Sequence, residues 1–146
     1  LNKSFLVFFL NKKRDASKIL SNQKKLQKEN YSSLDKIKKI VFIAEKLIKQ
    51  NNAKIVENFG ALLSENWYLK KINNPSVSYK VVDKLYGTGM RSGSYGGKLL
   101  GAGGGGYFLF LANSESKKKM KSKFCNFSTI DVEIHKGGTE IIYAHK

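Results

Sequence analysis

Seven residues near the start, Ser4 to Leu10 (SFLVFFL), form a nearly unbroken aromatic and aliphatic run closed by Asn11 to Arg14, the pattern of a short buried strand. After it the apolar spacing becomes helical. Ile19, Leu20, Gln23 and Leu26 fall on one helix with Asp15 as its N-cap. Leu34, Ile37, Val41, Ala44 and Ile48, widened by Ile40 and Leu47, make a second stripe that Asn51-Asn52 ends. A third helix is predicted over 53–71, with Ile55, Phe59, Leu62, Leu63, Trp67 and Leu69 on its apolar side and Asn73-Asn74-Pro75 as its stop. A fourth starts at a Ser76 cap, turns Val77, Val81, Val82 and Leu85 inward, and ends at Tyr86, where GTGMRSGSYGG breaks regular structure.

The second half reads as strands. Lys98-Leu99-Leu100 leads into a glycine-rich loop, and Tyr107 to Leu111 leaves it as a strand. Ser114 to Phe124 is a short helix capped by Ser114. STIDVEIH sets Ile130, Val132 and Ile134 against Asp131, Glu133 and His135, as a half-buried strand does, and TEIIYAH after Gly137-Gly138 is its hairpin partner. The expected fold class is α+β, an antiparallel sheet packed against helices, as one domain over residues 1–146 without internal repeats.

Composition narrows the class. With 41% hydrophobic and 12% aromatic residues the chain can build a core. No apolar run is long enough to span a bilayer, and FLVFFL lacks a small-residue cleavage site after it, so a protein without a membrane, in the cytoplasm, is expected. Cys125 has no second cysteine to pair with, and with only His135 and His145 beside it zinc is not expected. The chain begins at Leu1 without methionine and enters a strand almost at once, which reads as a piece of a longer protein. The formal net charge of +16 raises a nucleic-acid reading. Against it, only Arg14 and Arg91 are arginine, and the lysines spread over every helical segment as solvated faces. The densest group, Lys117 to Lys119 with Lys121 and Lys123, reads as the wet side of a helix. A basic nucleic-acid-binding α+β module is therefore the alternative, not the main reading.

Candidate chemistry is concentrated in GGKLLGAGGGGYFLFLA, residues 96–112. Gly101, Gly103 and Gly106 satisfy G-x-G-x-x-G, yet a strand follows where a dinucleotide site needs a helix N-terminus. A protein-kinase loop would need H-R-D and D-F-G segments downstream, and neither these nor a P-loop occurs. A plain hairpin needs two turn residues, and each surplus glycine costs about 0.5–1 kcal/mol of conformational entropy. Consecutive bare amides can instead curl into a nest of N–H groups for an anion such as phosphate.

The motif GGKLLGAGGGGYFLF closely resembles the third conserved motif of the GHMP kinases, and is most similar to the heptose 7-phosphate kinase branch and its sugar-kinase relatives. RDASKILSNQ after the first strand, LLSENWYLKKINNPSVS and the closing VEIHKGGTEIIY resemble further segments of that branch, so the likeness covers nearly the whole chain. It implies a ferredoxin-like C-terminal domain of an enzyme that moves phosphate from ATP, with Mg2+, to a sugar phosphate. It also implies an N-terminal domain with a P-x-x-x-G-L-G-S-S-A-like loop around the ATP phosphates, and no such loop occurs in these 146 residues. The isolated segment is then expected to be inactive, with ATP and Mg2+ held mainly by the missing domain.

On this resemblance the substrate and phosphate contacts are Gly101, Ala102, Gly103, Gly104, Gly105 and Gly106; Lys98 before the loop is a candidate to neutralise phosphate or pair with a carboxylate, or else a solvated lysine, Arg14 is a bidentate phosphate ligand or a surface residue at a strand end, and Ser17 adds a hydroxyl or is helix surface. Arg91 with Ser92 and Ser94 is a weaker candidate. Trp67 and Tyr68 are weighed as sugar-pocket walls, although Trp67 beside Phe59 and Leu63 reads as core. No residue serves as general base: His135 alternates outward, and Glu65 and Asp83 lie on helix surfaces, so no catalytic residue is assigned.

Overall fold

The structure is a computed structural model and describes residues 1–12, 17, 21, 31–130, 132–135 and 137–143. The aromatic run near the start forms β1 (Phe5–Phe9), at the centre of a four-stranded antiparallel sheet with β2 (Gly96–Leu99), β3 (Tyr107–Leu111) and β4 (Ser128–Ile130). The spatial order is β2-β3-β1-β4, with Phe8 opposite Phe108 in one neighbour and Thr129 in the other. Helices α1 (Tyr31–Gln50), α2 (Ile55–Asn73) and α3 (Lys80–Arg91) connect β1 to β2, and α4 (Ser114–Lys123) connects β3 to β4. This is the split βαβ arrangement of ferredoxin-like folds, and the expected α+β class holds.

Strand alternation decides the core. Leu6 and Phe8 of β1, Leu99 of β2, and Phe108 and Phe110 of β3 share the face that Trp67, Val82, Leu85 and Met120 cover from α2, α3 and α4. Trp67 stands edge-on to Phe108 with centroids 6.0 Å apart, and Phe8 edge-on to Phe110 at 6.1 Å. Such pairs add about 0.5–1.5 kcal/mol each beyond burial. Trp67 is core, 1% exposed, while its neighbour Tyr68 is 63% exposed.

Helix α2 also closes the open edge of the sheet. A Cβ on Gly60 would lie 2.6 Å from Tyr95 Cβ, so the bare backbone lets the helix press against the start of β2. The Ser64 hydroxyl then accepts a hydrogen bond from the Gly97 N–H at 3.3 Å, occupying an edge donor that would otherwise invite another strand. Helix α1 packs on α2, and of its predicted stripe only Ile40 is buried; Val41 and Ile48 are 62% and 52% exposed.

Four local expectations change. Pro75–Val77 form a 3-10 turn capped by Asn74, whose Oδ1 accepts from the Ser76 N–H at 3.1 Å, and the fourth helix runs from Lys80 to Arg91. It passes through GTGMR because Gly89 lies against the Phe110 ring, where any Cβ would collide; the glycines there permit packing and do not break the helix. Val81, expected inward, is 45% exposed. The α4 cap is Asn113, not Ser114: its Oδ1 accepts from the Ser116 N–H at 2.8 Å.

The long terminal strand is reduced to Ser128–Ile130, and no hairpin partner forms among the described residues. The ladder pairs Ser128, Thr129 and Ile130 with Phe9, Phe8 and Val7, and ahead of β1 Asn2–Ser4 form a 3-10 turn. Asn2 Oδ1 accepts from the Ile134 N–H at 2.9 Å. The predicted first helix lies almost entirely outside the described residues.

Candidate phosphate-binding loop

Residues 100–106 join β2 to β3 and are closed at the base by the Leu100 N–H donating to the Tyr107 carbonyl at 2.8 Å. Two neighbours clamp the loop. On one side the Gly104 N–H donates to the Val77 carbonyl in the 3-10 turn at 2.8 Å; on the other the Leu10 N–H, just past β1, donates to the Gly106 carbonyl at 2.9 Å. Gly103, Gly104 and Gly105 are buried, with Ala102 and Gly106 half-buried and Gly101 exposed. At Gly103 the need for glycine is double: φ is +105°, and a Cβ would sit 2.6 Å from Val77 Cβ. Part of the glycine excess thus answers to tight packing, and the Gly104 amide is engaged within the fold.

Two lysines meet the loop, Lys70 through its ammonium and Lys12 through its backbone. Lys70, on the last turn of α2, donates to the Gly101 carbonyl. Lys12 has its backbone carbonyl where a Cβ on Gly105 would be 2.8 Å away, and its Nζ stands 3.6 Å from the centre of the Tyr79 ring. Partial burial raises the Tyr79 hydroxyl above the usual phenol pKa. Neither lysine was singled out by motif reasoning; the K-K of LLSENWYLKKINN, read as a family segment, held the signal for Lys70.

The other predicted residues are placed differently. Lys98 donates to Asn66 Oδ1 on α2 and lines a groove between α1 and α2. Burial holds its ammonium below the usual lysine pKa. Ser17 is helical and exposed, and Arg14 lies outside the described residues. Arg91 is turned onto its own helix, donating to Thr88 Oγ1 at 3.1 Å; Ser92 is buried, and Ser94 Oγ donates to Met90 Sδ at 3.3 Å. Asp83 is engaged by Lys71 at 3.3 Å and Ser78 at 2.9 Å, and His135 is exposed. Among the described residues no three histidine, cysteine or acidic side chains converge as metal ligands, and no helix is long and apolar enough to cross a membrane.

Comparison with known proteins identifies the family and the fold. The family model described as GHMP kinases C terminal matches residues 44–128, from the middle of α1 to the first residue of β4. The chain is 30% identical over 138 residues to the bifunctional fucokinase/GDP-fucose pyrophosphorylase of Arabidopsis thaliana, covering 92% of this chain and 13% of that protein. It is 30% identical over 115 residues to the D-glycero-alpha-D-manno-heptose 7-phosphate kinase of Campylobacter jejuni, covering 77% and 33%. In fold it is similar to the crystal structure of L. major mevalonate kinase in complex with R-mevalonate, with a TM-score of 0.70 at 19% identity over 88% of this chain and 42% of that one. The chain spans well under half the length of each.

Proposed function

The chain belongs to the GHMP kinase C-terminal family, and from that premise we propose that it supplies the C-terminal part of an ATP-dependent sugar kinase whose acceptor is a heptose 7-phosphate or a similar sugar. The observation that carries the reading is the glycine loop clamped between Val77 and Leu10 with the Lys70 ammonium on Gly101. Phosphoryl transfer asks mainly for positioning and for fixed positive dipoles around developing charge. A clamped loop of small residues lets a phosphate reach the backbone, and the Lys70 ammonium beside it favours the anion. Gly101, Ala102, Gly103, Gly105 and Gly106 form the cleft floor in this reading, Gly104 holds the loop in place, and Arg14 and Ser17 contact the sugar's phosphate. The likeness to the Campylobacter heptose 7-phosphate kinase supports the acceptor class.

Following the family resemblance, ATP with its Mg2+ is assigned mainly to an N-terminal domain outside this chain, together with any general base. In this reading the segment by itself does not turn over.

A chimera in which this chain replaces the matching part of the Campylobacter enzyme tests the proposal. We expect ADP release with heptose 7-phosphate and none with fucose, and no ADP from the 146-residue chain alone. Preference for fucose would overturn the acceptor class, and turnover by the isolated chain would overturn the division of labour.

A further inference from the structure

Helices α1 and α2 leave a groove of about 400 Å³ between them, within the range of small-molecule sites. Ala44 and Ile48 wall it from α1, Phe59 and Leu62 from α2, and Lys98 stands at its polar end. Strand alternation puts Lys98 on the side of β2 opposite Leu99, which joins the core. Among the described residues its ammonium donates to the neutral Asn66 Oδ1 and no carboxylate pairs with it. Glu45 reaches the rim but is held by Lys49 at 2.6 Å. A partly buried cation to which the described residues bring no counter-ion, beside partly exposed apolar side chains, is complementary to a molecule with one negative end and an apolar body. A second copy of the chain is disfavoured as occupant, because each copy carries a formal charge of +16.

We propose that this groove binds a small anionic amphiphile, its headgroup on Lys98 and its apolar body along Ala44, Ile48, Phe59 and Leu62. The site is separate from the glycine loop, so it stands or falls independently of the kinase reading.

Titration calorimetry of the 146-residue chain with octanoate and with 1-octanol at neutral pH tests it. We expect one octanoate per chain, bound about tenfold more tightly than 1-octanol, the difference a charge-assisted contact makes. Lys98→Gln, with Lys98→Met as a second neutral variant, removes that preference and leaves 1-octanol unchanged. Ala44→Phe fills the groove and weakens both ligands about tenfold, while millimolar inorganic phosphate leaves octanoate binding as it was. Equal affinity for the two ligands, no binding of either, or a preference that survives both Lys98 variants would overturn the proposal. So would competition by phosphate, or a dimer in sedimentation that Ala44→Phe dissolves, since the groove would then serve another occupant.

Discussion

Gly103 shows how one residue can be explained twice. Its positive φ and the Val77 side chain under it both oppose a Cβ, and the two costs add because one is backbone strain and the other overpacking. Gly103→Ala is expected to lose about 2–4 kcal/mol, a fall in melting temperature of roughly 5–15 °C by circular dichroism. A shift below about 2 °C would mean that the loop gives way and that Val77 does not set its shape. The sequence made the glycine run visible, and a ligand was the first reason to suggest itself. Only the neighbours in space reveal the second reason. Lys98 carries the same lesson: its place two residues before the loop suggested a phosphate contact, while strand alternation directs it to Asn66 and the α1–α2 groove. Trp67 was legible as core because it shares a helical stripe with Phe59 and Leu63, and Tyr68, one residue on, rotates about 100° away into solvent.

At the scale of elements, periodicity located the helices and most strands, and their ends depended on partners. Asn113 and Ser114 both suit an N-cap; the structure gives the role to Asn113 through its bond from the Ser116 N–H. Asn113→Ala is expected to cost about 1 kcal/mol, seen as a lower denaturation midpoint in urea, and Ser114→Ala to change it little. Equal effects would show a shared cap. Helix α3 continues through Gly87 and Gly89 although glycine costs about 1 kcal/mol per residue in a helix, because the Phe110 ring occupies the space of a side chain at Gly89. The alternation of Ile130, Val132 and Ile134 predicted a longer strand, and the structure pairs Ser128–Ile130 with β1 while the Ile134 N–H donates to the Asn2 side chain.

For the whole molecule, the core is made by β1, β2 and β3 with α2, α3 and α4, and the tail contributes little to it. Ile141 and Ile142 are 87% and 95% exposed and Tyr143 77%. A chain ending at His135 should therefore keep its melting temperature within about 2 °C, since stability follows the burial of the part removed. A larger fall would show that the tail covers apolar surface in solution.

The order of hydrophobic and polar residues was enough for the α+β class, for a strand before the helices and another after the glycine loop, and, through GGKLLGAGGGGYFLF, for the GHMP resemblance. These depend on periodicity and on local chain geometry, which neighbouring residues carry between them. Contacts between segments far apart in the chain decided the rest: the clamp of Val77 and Leu10 on the loop, Lys70 on Gly101, the passage of α3 through its glycines, and the turning of Lys98 into the groove. Such contacts depend on which faces meet after folding, and a local pattern of residue types leaves that open.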